Sequence, residues 1–225
     1  MKKNVINVAI DGPAGAGKST AARAAAAKLG FIYVDTGALY RAIGVYALSK
    51  EKDTSDRDAV SALLPEIKVA LMFENGEQKV VLNGKDVSGK IRTPEASMAA
   101  SNVSAIPEVR AFLFDLQRNI AAENNCIMDG RDIGTVVLPD AKVKIFLTAS
   151  PEIRAERRYK ELIAKGTDAK FSDVLEDLIK RDYNDSHREI APLKPAEDGV
   201  ILDTSDLNFE ESVNEIIRIT EEKIR

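Results

Sequence analysis

The stretch VINVAIDGPAGAGKST, residues 5–20, decides the fold. Its first part, Val5–Ile10, is a short apolar run bounded by a Gly-Pro turn signal, which reads as a buried strand. Gly12-Pro13-Ala14-Gly15-Ala16-Gly17-Lys18-Ser19 then matches the phosphate-loop pattern G-x-x-x-x-G-K-[ST]. From Lys18 to Leu29 the chain is rich in alanine, a strong helix former, and it stops at Gly30. Strand, glycine loop and helix in this order turn backbone N–H groups and a helix N-terminus toward an anion. Lys18 can reach the outer phosphates of a nucleotide, and Ser19 can hold Mg2+.

Outward from this stretch the α/β rhythm continues. Phe31–Val34 reads as a second strand, and Asp35-Thr36-Gly37 caps a helix that runs to about Lys50. Then the texture changes. Val69–Glu74 and Lys79–Leu82 read as strands joined by Asn75-Gly76, a strong hairpin signal. Residues 65–93, in round terms, are thus expected to form a small antiparallel insertion. Helices are expected over about 94–104 and 107–122, followed by strands at Cys126–Asp129 and Val143–Leu147. Ser150-Pro151-Glu152 opens a helix with a capping serine and a proline at its first position. Gly166-Thr167 interrupts it, and a second helix covers about 171–189. Val200–Asp203 is the last strand and about 209–224 the last helix.

Bulk properties narrow the class. Hydrophobic residues make up 44% of the 225 and charged residues 30%, an ordinary balance for an α/β domain with inserted lobes. A net charge of −4 argues against a chain that coats nucleic acid. No apolar run approaches the roughly 20 residues of a membrane span. The N-terminal apolar run is too short for a signal peptide and reads as strand. The lone cysteine, Cys126, admits no intrachain disulfide, so a cytoplasmic setting is expected.

A phosphate loop implies nucleotide binding without naming the reaction. A guanine-specific switch would need Asn-Lys-x-Asp, whereas Asn83-Gly84-Lys85-Asp86 has the wrong order. A motor would want an acidic pair where Ile127-Met128-Asp129-Gly130 has one acid. The single histidine, His187, leaves few candidates for a general base. A kinase that phosphorylates a phosphate needs none, because a phosphomonoester oxygen is already largely anionic near neutral pH. It must instead neutralise two polyanions, a task for arginine forks. Arg41 and Arg131 follow strand ends. Arg154, Arg157 and Arg158 share one helix face, as do Arg181, Asp185 and Arg188.

These residues belong to a longer ordered set: IDGPAGAGKST at 10–20, DTGALYRA at 35–42, DVSGKIRTPE at 86–95, MDGRDIGTVVLPDA at 128–141, KIFLTAS at 144–150 and RDYNDSHREIAPLKPA at 181–196. In that set the chain resembles the bacterial cytidylate kinases, over essentially its whole length. The resemblance implies a phosphate-loop kinase fold: a five-stranded parallel sheet flanked by helices, with an inserted acceptor-binding lobe and a short lid. The core would comprise residues 1–35, 105–150 and 190–225, the lobe 36–104, and the lid with its following helix 151–189. It also implies γ-phosphoryl transfer from ATP to CMP or dCMP with Mg2+, by a monomer. Gly12 to Ser19, with Thr20 and Arg154, would bind ATP, Arg154 stacking on adenine. Lys18, Arg131, Arg157, Arg158 and Arg181 would carry the transfer. Asp35, Thr36, Arg41, Ser101, Arg110, Arg131, Asp132, Asp185 and Arg188 would bind CMP, and Ser19 with Asp129 the metal.

Other kinases of the same fold fit less well. An adenylate kinase would want Asp-Gly-Phe-Pro-Arg where this chain has Asp129-Gly130-Arg131-Asp132. A shikimate kinase would want Asp-x-Asp where it has Asp35-Thr36-Gly37. A nucleotide-binding module without turnover is the rival from another class.

Overall fold

The computed structural model describes residues 5–74 and 77–225. The first lysines and the expected Asn75-Gly76 turn lie outside those residues. Along the chain, β1 (Asn7–Asp11) leads through the phosphate loop into α1 (Lys18–Leu29), β2 (Ile32–Asp35) and α2 (Thr36–Ser49). A short α3 (Arg57–Ser61) precedes β3 (Val69–Glu74), β4 (Glu77–Leu82) and β5 (Lys85–Asp86). Next come α4 (Pro94–Ser104), α5 (Pro107–Glu123), β6 (Cys126–Gly130) and β7 (Val143–Thr148). The chain finishes with α6 (Pro151–Ala164), α7 (Phe171–His187), β8 (Val200–Asp203) and α8 (Phe209–Ile224).

Two sheets result, as expected. The central one is parallel with the order β2-β6-β1-β7-β8, and the small one is antiparallel, β3-β4-β5. The central strands alternate their faces. Val8, Ile10, Ile127 and Ile145 pack under α1 and α8, while Ala9, Val34 and Met128 pack on the opposite side with Ala121 and Ile133. A separate cluster, from Leu39 and Ile43 through Val80 and Ile91 to Val103 and Leu113, joins α2, α4, α5 and the small sheet. Gly44 lets α2 and α4 meet closely, since a β-carbon there would lie 2.7 Å from that of Ala99. A fourth cluster, Ala155, Val174 and Leu178, seats α6 and α7 on Ala14 at the tip of the phosphate loop.

Three elements were not foreseen: β5, which adds a third strand to the small sheet, and two others. α3 is capped by the Asp56 side chain, which accepts from the Ala59 N–H at 3.0 Å. Ile133–Val137 forms one wide π-type turn directly after β6. Apart from these, the observed boundaries differ from the expected ones by a residue or two.

Candidate active site

Parallel registry gathers the chemistry at one end of the sheet. Asp11 stands beside Gly130, and Asp35 beside Asp129, at the C-terminal ends of β1, β2 and β6. Open parallel sheets bind ligands at this end. The phosphate loop starts here with Gly12, whose φ is 145°. A β-carbon at that position would overlap the carbonyl of Leu147, so only glycine fits. Lys18 folds back over the loop and donates to the Pro13 carbonyl at 2.7 Å. Burial and the neighbouring Arg131 charge hold its ammonium well below the usual lysine range.

At the mouth of the loop, the Ser19 hydroxyl donates to Asp129 Oδ2 at 2.7 Å, and Tyr33 donates to Oδ1 at 3.1 Å. Burial, with Asp35 nearby, pushes the Asp129 carboxyl up to about 6. One hydroxyl and one carboxylate form a sparse set of hard oxygen donors. It fits a Mg2+ ion, which takes few protein ligands and completes its shell with phosphate and water. Among the described residues there is no cluster of three or more metal-ligating His, Cys, Asp or Glu side chains.

Beyond Asp129 lies a network of arginines and carboxylates. Arg41 pairs with Asp35 at 2.6 Å, and Asp35 also caps α2 through the Ala38 N–H. Arg131 donates to Asp185 at 2.8 Å, and Ser101 donates to the other oxygen of Asp185 at 3.3 Å. Asp132 receives Arg110 on one oxygen and Arg188, at 3.2 Å, on the other. Burial raises the Asp185 carboxyl, but the Arg131 and Arg181 charges outweigh it and hold the group below its ordinary value. Arg181 shares this field, its Nε enclosed without a partner. Burial and the Arg131 charge lower its guanidinium to about 10.

Four of the expected site residues make contacts the sequence did not show. Arg154 presents no face to a base, because its side chain is 4% exposed and bridges Asp182 at 2.7 Å. It also donates to the Ala149 and Ala14 carbonyls, so it buttresses the phosphate loop. Arg157, one turn on, lines an open cavity of about 300 Å3 with Gly17, Thr20, Leu207 and Phe209. That cavity opens directly beside the phosphate loop. Arg158 pairs with Glu161 of its own helix at 2.8 Å, outside the network. Thr36 is also committed: its buried hydroxyl donates to the Asp129 carbonyl at 2.8 Å.

Sequence comparison agrees with this geometry. The profile of the family described as "Cytidylate kinase" matches residues 8–222. The chain belongs to the cytidylate kinase family. A cytidylate kinase from Carboxydothermus hydrogenoformans is 49% identical, covering 95% of this chain and 96% of the relative. Another, from Ligilactobacillus salivarius, is 50% identical over 97% of each. Among solved structures, an uncharacterized protein from Eubacterium ventriosum superposes with a TM-score of 0.54 at 14% identity, covering 96% of this chain and 98% of that one. That likeness concerns the fold alone.

Within this cytidylate kinase family member, sequence reasoning passed over four residues around the site. Asp11 accepts the Ile133 and Gly134 N–H groups, each at 2.7 Å. Tyr33 orients Asp129, Asp182 holds Arg154, and Gln78 of the small sheet bonds the backbone of Asp35. Only Asp11 carried a sequence signal, a charge at the end of an otherwise apolar strand.

Proposed function

We propose that the chain transfers the γ-phosphoryl group of ATP to CMP or dCMP, giving ADP and the diphosphate. The observation that carries this reading is the Arg110–Asp132–Arg188 triad, its side chains buried and its aspartate one residue beyond Arg131 at the end of β6. Cytosine offers an amino donor beside a ring-nitrogen acceptor. Asp132 accepts from the amino group and Arg110 donates to the ring nitrogen. Uracil turns an acceptor toward Asp132 instead, and an unpaired buried polar group costs about 1–3 kcal/mol.

The remaining roles follow from position. The loop N–H groups and Lys18 hold the donor phosphates, and the cavity beside Arg157 and Phe209 takes the base. Arg41, Arg131 and Arg188 hold the acceptor phosphate, and Asp185 with Ser101 bonds the sugar hydroxyls. Arg181, with a free buried N–H, is placed for the group in flight. The acceptor oxygen attacks as an anion, so no protein base takes a proton. Mg2+, held through Ser19 and Asp129, would neutralise charge on the donor phosphates when bound. A cytoplasmic setting and action as a monomer belong to the same proposal.

A coupled ADP-release assay tests it, with CMP, dCMP, UMP, AMP and no acceptor compared side by side. We expect CMP and dCMP to give rates far above the others. A CMP rate equal to the acceptor-free background would refute the reading.

A further inference from the structure

The turn after β6 has an unusual cap. Asp132 occupies the N-cap position of Ile133–Val137, where an aspartate normally turns its own carboxylate onto the first free N–H groups. Here it makes no such bond. Its carboxylate goes to Arg110 and Arg188. The first two N–H groups of the turn, those of Ile133 and Gly134, are taken instead by Asp11, one on each carboxylate oxygen; Gly134 is one an N-cap side chain would reach. Asp11 is only 5% exposed and lies directly before Gly12. The Asp132 carbonyl is fixed as well, accepting from Val136 at 2.9 Å and Val137 at 3.2 Å. The backbone of residue 132 is thus clamped on both sides while its side chain is released.

We propose that Asp11 is a positioning residue for acceptor selectivity: by capping the turn in place of Asp132, it frees the Asp132 carboxylate to face the acceptor base. This rests on the reading of Asp132 given above. Without the Asp11 carboxylate, two buried N–H groups lose their acceptor, and Asp132, at the N-cap, is in position to take the Gly134 N–H. Asp132 would then swing from the arginines to its own turn, and the pocket would lose the group that distinguishes an amino from a carbonyl substituent. A role confined to folding would lower activity on every acceptor alike.

The test compares kcat/KM for CMP and UMP in the wild-type protein, Asp11→Asn, Asp132→Ala and the double variant. The amide in Asp11→Asn keeps one acceptor and opposes the other N–H. We expect the CMP-to-UMP ratio to fall roughly tenfold, the size of one lost buried pairing, with the KM for ATP changed less than about twofold. In the Asp132→Ala background the same change should leave the ratio where it is. An unaltered ratio in folded Asp11→Asn overturns the proposal, and so does a further fall in the double variant. A wild-type protein with no preference for CMP is a different result, which would sink the function itself. Should Asp11→Asn not fold, amide hydrogen exchange on the wild-type protein decides. Protection of the Ile133 and Gly134 amides without CMP supports the clamp; protection only with CMP bound overturns it.

Discussion

Asp11 carries its charge at a cost. Burial pushes its carboxyl from 3.8 up to about 6, even though two N–H groups favour the ionised form. The folded protein therefore holds this proton more tightly than the unfolded chain does. Stability from this group is complete below about pH 4 and is lost as pH rises through about 6. The full span corresponds to about 3 kcal/mol. We expect the wild type to lose about that much relative to Asp11→Asn between about pH 4 and 7, measured by urea unfolding of both proteins. Parallel pH profiles would show that the carboxylate is not paying a burial penalty. Gly12, Lys18 and Ser19 were legible because their chemistry is local and their spacing is a pattern. Asp11 showed only as a charge ending an apolar strand, and its role was hidden because its partners lie 122 and 123 residues away. Arg154 and Arg157 were legible as a pair but not in their contacts. Helical spacing puts them on one face without saying which one meets the phosphate loop.

At the scale of elements, the small sheet has a visible connection to the site. β2 is an edge strand of the central sheet, with unpaired backbone groups on its outer side. At Asp35 these are met by the Gln78 amide, which accepts the N–H at 2.8 Å and donates to the carbonyl at 3.2 Å. One side chain from β4 thus imitates a neighbouring strand. It steadies the residue that caps α2 and holds Arg41. Gln78→Ala should raise the KM for CMP several-fold and leave the KM for ATP nearly unchanged, since a lost hydrogen-bond pair amounts to about 1 kcal/mol. Steady-state kinetics with each substrate varied would check this, and equal effects on both would count against it. Two of the insertion's three strands were readable from apolar runs and turn signals; β5, two residues long, was not. The docking of the insertion was not readable either, since an amide on a strand face reads equally well as a solvated residue. The π-type turn was hidden for a related reason: Ile133–Val137 reads as an apolar run, and its cap comes from another strand.

At the scale of the whole molecule, the apolar residues divide into separate clusters. The lobe has one from Leu39 to Leu113, the central sheet has one on each face, and the lid helices have their own around Leu178. Bodies with their own cores can move against each other without exposing much apolar surface. Phosphoryl transfer needs water excluded from the group in flight, and closure of such bodies excludes it. We expect a bisubstrate analogue joining cytidine and adenosine through phosphates to reduce the radius of gyration in small-angle scattering. Identical profiles with and without it would argue for a preformed site. The layered sheet was readable from the strand and helix rhythm; a lid was expected only from the family resemblance. The seating of the lid on Ala14 was not, because alanine in a glycine-rich loop gives no sign of a packing partner.

The pairing of each acceptor-side arginine with an internal carboxylate has a further consequence. Arg41 rests on Asp35, Arg131 on Asp185, and Arg110 with Arg188 on Asp132. In chemical terms the pocket is an ion exchanger loaded with its own counter-ions. In the proposed reading an incoming phosphate would displace a carboxylate already in place, and Arg181, with its unpartnered Nε, would add charge that no carboxylate holds. The attraction it feels is the difference between two similar pairings. Stray inorganic anions therefore gain little by entering, and a ligand gains most when it rewards several swaps at once, with phosphate, sugar and base on one molecule.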